Sequence, residues 1–192
     1  ERRALKYAAL ASENNELRKL MNSSEVLDDR VIVGEIVGVS PDPFSHEVVI
    51  NKGSRDGVVV GQAILDANGL MGQVQQTSSF TSRVLLVSDS SHAVPVEVVR
   101  NGLRAILLGN GDTSTLELVH VPDTADIREG DLLVSSGLGG RFPKGYPVGV
   151  VTTVEHDPGQ PFAVVNAKPM ANLDRSRYVL LVFSEETRQL EG

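Results

Sequence analysis

Two periodicities divide the chain. Over residues 1 to about 25 the sequence has no Gly or Pro and is rich in Ala, Leu, Glu, Arg and Lys, all good helix formers. From Val31 onward the helical spacing gives way to short Val- and Ile-rich runs set between Gly, Pro, Asn and Asp. That is the rhythm of an all-β sandwich or barrel.

The helical stretch carries a heptad. With Leu10 and Leu17 at position d, Tyr7, Asn14 and Met21 fall at position a. A single Asn at a fixes register and favours two strands at some cost in stability. Glu13 then falls at g and Arg18 at e, the spacing of an interhelical ion pair in a parallel dimer. A coiled coil over 1–28 with Tyr7, Leu10, Asn14, Leu17 and Met21 in its seam is the expectation, with a lone amphipathic helix docked on its own domain as the alternative, because Arg3 and Ser24 at d weaken both ends.

The strand-like part reads as "VIVGEIVGV" (31–39), "HEVVINKG" (46–53), "AIL" (63–65), "GLMGQV" (69–74), "SRVLLVS" (82–88) and "AVPVEVV" (93–99). "LRAILLG", "TLELVHV", "DLLVSSG", "PVGVVTTVE", "FAVVNAKP" and "SRYVLLVF" follow. "DAN", between the third and fourth runs, has the composition of a hairpin turn. One group of words occurs twice: Gly61, Gly72 and Ser82–Arg83 answer Gly130, Gly149 and Ser176–Arg177, which points to two related small barrels. Counting strands divides them as a discontinuous barrel over 29–58 and 123–185, an inserted barrel over 59–122, and a tail over 186–192, with two consecutive barrels divided near residue 100 as the simpler alternative. The fold class is therefore mainly β: a coiled-coil helix followed by two small, roughly six-stranded β-barrels.

Composition narrows the function. Hydrophobic residues make up 41% but aromatics only 4%, so the core must be built from Val, Ile, Leu and Ala. The net charge is -7, and the cations form no stripe, which argues against a nucleic-acid partner. Cysteine is absent, and with it thiolate catalysis, zinc fingers and disulfides. No apolar run approaches the ~20 residues of a membrane span. The opening "ERRALKYAAL" lacks an initiator Met and is already helical in pattern, so the chain is expected to be a fragment of a longer protein.

Sites of chemistry are hard to find. Gly140 to Gly145 has the first spacing of a phosphate-binding loop, but Tyr146 and Pro147 stand where Lys and Ser or Thr belong. A dinucleotide fingerprint fails because Pro143 blocks the helix it needs. "VSSGLGG" resembles the serine loop of trypsin-like proteases. On that reading Ser135 or Ser136 attacks, His46 or His92 is the base and Asp89 orients it, but the family's Gly-Asp-Ser-Gly-Gly spelling is missing. His46, His92, His120 and His156 stand singly, without ligand spacing. No cofactor or metal is expected. Phe142 and Tyr146 sit in the Gly-Pro loop and either plug a core or anchor a partner, with Phe44 as a third candidate anchor. A peptidoglycan-binding module is a further alternative, disfavoured by the absence of Trp and the scarcity of Tyr.

The words "VSSGLGGRFPKGYPVGVV", "INKGSRDGVVVGQAIL" and "GLMGQV", with the "ENNELRKL" helix before them, resemble the rod shape-determining MreC family. The resemblance implies inner-membrane proteins with one span, a periplasmic coiled coil and two β-barrels. It also implies a non-enzymatic scaffold of the cell-elongation machinery that self-associates into dimers and higher assemblies. Its implied partners are the elongation-specific penicillin-binding transpeptidase and, in the intact protein, MreB, MreD and RodZ. Membrane attachment would come through a span outside this chain.

Overall fold

A computed structural model of the chain describes residues 30–43, 45–138 and 142–183. The expected coiled coil, with Tyr7, Leu10, Asn14, Leu17 and Met21, lies outside the described residues, as do Phe44 and the 186–192 tail. Among the described residues are twelve strands. The first five are β1 (Arg30–Val39), β2 (Glu47–Ile50), β3 (Ala63–Leu65), β4 (Leu70–Thr77) and β5 (Ser82–Leu86). Six follow: β6 (Ala93–Val98), β7 (Arg104–Asp112), β8 (Thr115–Val119), β9 (Leu132–Ser135), β10 (Pro147–Glu155) and β11 (Val164–Pro169). The last is β12 (Tyr178–Phe183).

The strands close into two six-stranded barrels, antiparallel at every pairing. The outer barrel runs β1-β12-β3-β4-β5-β2 and the inserted barrel β10-β11-β8-β7-β6-β9. The division expected from strand counting is corrected here, since 59–122 would split both barrels. Its first half, β3 to β5, belongs with β1 and β2, because β5 pairs with β2 and β3 pairs with β12. Its second half belongs with β9 to β11. Counting strands gives how many a barrel needs but not which ones pair, so it sets the breaks before β3 and after β8 instead of after β5 and after β11.

Both barrels follow one circuit of neighbours. Setting β1, β2, β3, β4, β5 and β12 against β7, β8, β9, β10, β11 and β6 matches every pairing. The sixth strand comes last in the outer barrel and first in the inserted one, so each is a circular permutation of the other. Gly61 and Gly130 are equivalent: both have positive φ, 94° and 90°. Gly61 donates to the Val74 carbonyl and Val74 to that of Gln62, and Gly130, Val151 and Asp131 repeat the exchange. Gly72 and Gly149 are also equivalent, opposite Ile64 and Leu133. The likeness of Ser82–Arg83 to Ser176–Arg177 is not part of the repeat, because β5 answers to β11 and β12 to β6.

Each barrel is filled by its alternate residues. Across the inserted barrel, Val94, Leu107, Leu118 and Val165 stand opposite one another on β6, β7, β8 and β11, and none is more than 2% exposed. In the outer barrel Ile64 and Leu181 share an inward position, and both are fully buried.

The barrels meet at the β3–β4 turn. Asp66, 3% exposed, accepts from the Asn68 and Gly69 amides through Oδ1, which makes the "DAN" hairpin. Its Oδ2 accepts from the Asn172 amide at 2.6 Å and the Ser176 hydroxyl at 2.8 Å, gripping the segment that leads from β11 to β12. Gly69 lies against β10: a Cβ there would come within 2.6 Å of the Pro147 carbonyl oxygen, so only glycine fits without a shift.

Candidate interaction surfaces

The Gly-Pro loop after β9 is a clamp around Ser135. The Ser135 amide donates to the Tyr146 carbonyl and the Gly145 amide to the Ser135 carbonyl, both at 2.8 Å. The Ser135 hydroxyl donates to the Pro143 carbonyl at 2.5 Å and accepts from the Tyr146 amide at 3.0 Å. Gly137 and Gly145, with φ of 75° and 94°, supply turns that a side chain would strain. The clamp turns both aromatic residues of the loop inward. Phe142 is 3% exposed and Tyr146 5%, and the Phe142 ring stands edge-on to buried His92, centroids 5.7 Å apart. Of the two readings left open for Phe142 and Tyr146, core plug or partner anchor, their burial favours the plug, since rings with so little accessible area offer a partner little contact. Phe44 lies outside the described residues.

The protease-like arrangement also fails to assemble. Ser135 is fully buried and engaged in the clamp, and the Ser136 hydroxyl accepts from the Leu138 amide. The residues that do meet are His46 and Ser88, with His46 Nδ1 2.7 Å from a Ser88 hydroxyl that is itself fully buried. Asp89 addresses the His46 amide, at 2.9 Å, rather than an imidazole nitrogen. Burial pushes the Asp89 carboxyl up, but hydrogen bonds from the Ser91 hydroxyl, the Ser91 amide and the His46 amide outweigh it. The balance holds the group below the usual carboxylate range. This cluster joins the outer barrel to the segment leading into the inserted one. His156 bonds Asp123 at 2.7 Å, and His120 stands against Phe162. Among the described residues no three His, Asp or Glu side chains converge as metal ligands would.

What remains open to partners is apolar surface. On the outer barrel Val33, Val37 and Val39 of β1 are 42%, 57% and 73% exposed. Phe80, at the tip of the β4–β5 hairpin, is 62% exposed, with the Arg55 guanidinium 4.5 Å above its ring. On the inserted barrel Phe162 and Val164 are 49% and 43% exposed. Sequence reasoning missed these. The signal that could have found the last two is the unbroken apolar spelling of "FAVV", where a half-solvated strand should alternate.

The family model for the rod shape-determining protein MreC, barrel core, matches residues 23–183. The chain belongs to the MreC family. It is 47% identical over 174 residues to the cell shape-determining protein MreC of Escherichia coli, covering 91% of this chain and 47% of that protein. The MreC of Haemophilus influenzae is also 47% identical, with coverage of 91% and 50%. The chain thus spans about half the length of these curated relatives. A crystal structure of MreC from Pseudomonas aeruginosa is 62% identical, with a TM-score of 0.79, and covers 81% of this chain and all of that one. A second MreC structure is 60% identical with a TM-score of 0.88, over 91% of this chain and 99% of that one. A solved complex between a penicillin-binding protein, PBP2, and MreC from Helicobacter pylori matches at 20% identity and a TM-score of 0.60, a likeness of fold. No helix among the described residues is long and apolar enough to cross a membrane.

Proposed function

We propose that this chain is the periplasmic part of an inner-membrane scaffold of bacterial cell elongation, and that it acts by binding rather than by catalysis. The observation that carries the reading is the family match over residues 23–183, which takes in both closed barrels whole. The complex of a Helicobacter pylori relative with PBP2 supports the elongation-specific transpeptidase as partner. Exposed valines and phenylalanines on both barrels supply the chemistry such a contact needs. The scaffold promotes the transpeptidase by binding its active arrangement more tightly than the inactive one, since a ligand shifts an equilibrium only through differential affinity.

The heptad seam of Tyr7, Leu10, Asn14, Leu17 and Met21 pairs two copies and is the first step toward larger assemblies. Contacts with MreB, MreD and RodZ belong to the intact protein. The test is equilibrium binding of this chain to the purified periplasmic part of its cognate transpeptidase. Saturable binding is expected, and no binding at tens of micromolar would remove the reading. Sedimentation equilibrium should find a dimer. Asn14→Leu should raise the melting temperature of that dimer and loosen its choice of oligomer; an unchanged mass and melting temperature would remove the seam.

A further inference from the structure

The outside of the inserted barrel breaks the rule that its inside obeys. One residue along from the buried row Val94–Leu107–Leu118–Val165, the side chains point outward, where a sheet facing water carries polar groups. Here they are Pro95, Ile106 and Val119, opposite one another on β6, β7 and β8, with Val164 beside them on β11. Pro95, Ile106 and Val119 are half-buried, Val164 is 43% exposed, and Phe162 at the end of the row is 49% exposed. The row crosses four strands. The exposed valines of β1, by contrast, lie along a single strand whose neighbour β12 presents the buried Leu180 and Val182.

A second observation lies at the Phe162 end. His120, directly after β8, has φ 60° and is the non-glycine residue with positive φ among those described. A side chain adopts that conformation only at a free-energy cost, and such outliers gather at functional sites. The turn sends Val121 inward, 1% exposed, and sets the His120 ring edge-on to Phe162, centroids 5.8 Å apart at 81°. Backbone pairing of Pro122 with Phe162, and the Ala163 amide bond to the Val121 carbonyl, fix both from behind. The turn thus packs the His120 ring against a half-exposed aromatic ring at the surface. Its borders are acidic: Glu155 stands opposite Val164 and Glu117 opposite Leu108. Arg104 faces Glu97 at the far end of the row.

We infer that this outward face of β6, β7, β8 and β11, anchored by Phe162, is where the transpeptidase docks, presenting an apolar segment flanked by Lys or Arg. The inference rests on the binding reading given above and adds the place and chemistry of the contact. A central aromatic anchor within an apolar row and a polar rim is the anatomy of a protein interface.

The test measures binding of the whole chain to the purified periplasmic transpeptidase for the unaltered protein and four variants. Phe162→Ala and Ile106→Glu should each weaken binding at least tenfold with the circular dichroism spectrum unchanged. Glu117→Lys should weaken it several-fold and lessen its dependence on salt. Phe80→Ala, on the other barrel, should leave it within twofold. His120→Gly relaxes the backbone, so it should keep or raise the melting temperature while weakening binding, a split that a purely structural role would not give. If the unaltered chain binds while Phe162→Ala and Ile106→Glu bind equally well, the face is wrong and the partner stands. If the unaltered chain does not bind, the underlying reading falls and takes this inference with it. If these variants change only the self-association of the chain, the face meets a second copy and the inference is overturned.

Discussion

Arg100 holds two carboxylates at once. Its Nε and Nη2 donate to the two oxygens of Asp131 at 2.9 and 3.0 Å, and its Nη1 donates to Asp126 at 2.9 Å. The Arg128 amide adds a third donor to Asp131. Arg100 comes from the β6–β7 turn, and Asp126, Arg128 and Asp131 from the β8–β9 loop, so one guanidinium ties two connections at one end of the inserted barrel. Hydrogen bonding to Arg100 holds the Asp131 carboxyl below its ordinary value of 3.8 against the opposing effect of burial, and Asp126 is lowered by the same partner. A carboxylate depressed in the folded state stabilises the fold above its unfolded pKa, and that contribution is lost as pH falls through the folded value. The melting temperature should therefore hold from pH 7 to about 5 and decline below about 4. Arg100→Gln should lower it most at neutral pH, with the gap from the unaltered protein closing in acid; thermal melts across that range check both.

At the scale of the element, the β3–β4 hairpin is the part most exposed to a single change. Asp66 is buried and serves four donors, two within the turn and two in the segment leading to β12. Asp66→Ala strands those donors and should cost about 2 to 3 kcal/mol, read as a shift in the urea midpoint at constant slope. Gly69→Ala forces a methyl toward the Pro147 carbonyl and should cost about 1 to 3 kcal/mol, measured the same way. This hairpin was legible in advance, because Asp, Asn and Gly between two apolar runs have a local mechanism. The strands were legible for a similar reason: inward residues such as Val94 and Val96 alternate with their neighbours. Partner choice was not, since the pairing of Leu65 with Leu180 joins residues far apart in sequence and leaves no local signal. The orientation of Phe142 and Tyr146 was equally hidden. The loop glycines announce a turn, but only the hydrogen bonds of Ser135 decide which way the rings face.

At the scale of the molecule, the described residues form two barrels on one circuit, the outer closed by a strand that arrives after the inserted barrel is complete. The inserted barrel draws all its strands from one continuous stretch, so it should keep its fold when the outer barrel is opened. A chain ending at Ser176 should keep slow amide exchange in β6 to β11 and lose protection in β1 to β5, where removal of β12 leaves β1 and β3 with unpaired edges. Hydrogen exchange resolved by residue reads this directly, and uniform loss across both barrels would show that neither stands without the other.

The circular permutation also orders events during synthesis. The chain leaves the ribosome with β1 to β5 first, yet these cannot close until every strand of the inserted barrel has been made and β12 follows. The inserted barrel, in contrast, has all six strands as soon as Pro169 is available. A chain interrupted late would carry one finished barrel beside one open sheet, and the open edges would mark it for a protease or a chaperone. Only a chain translated through Phe183 can therefore pair both edges.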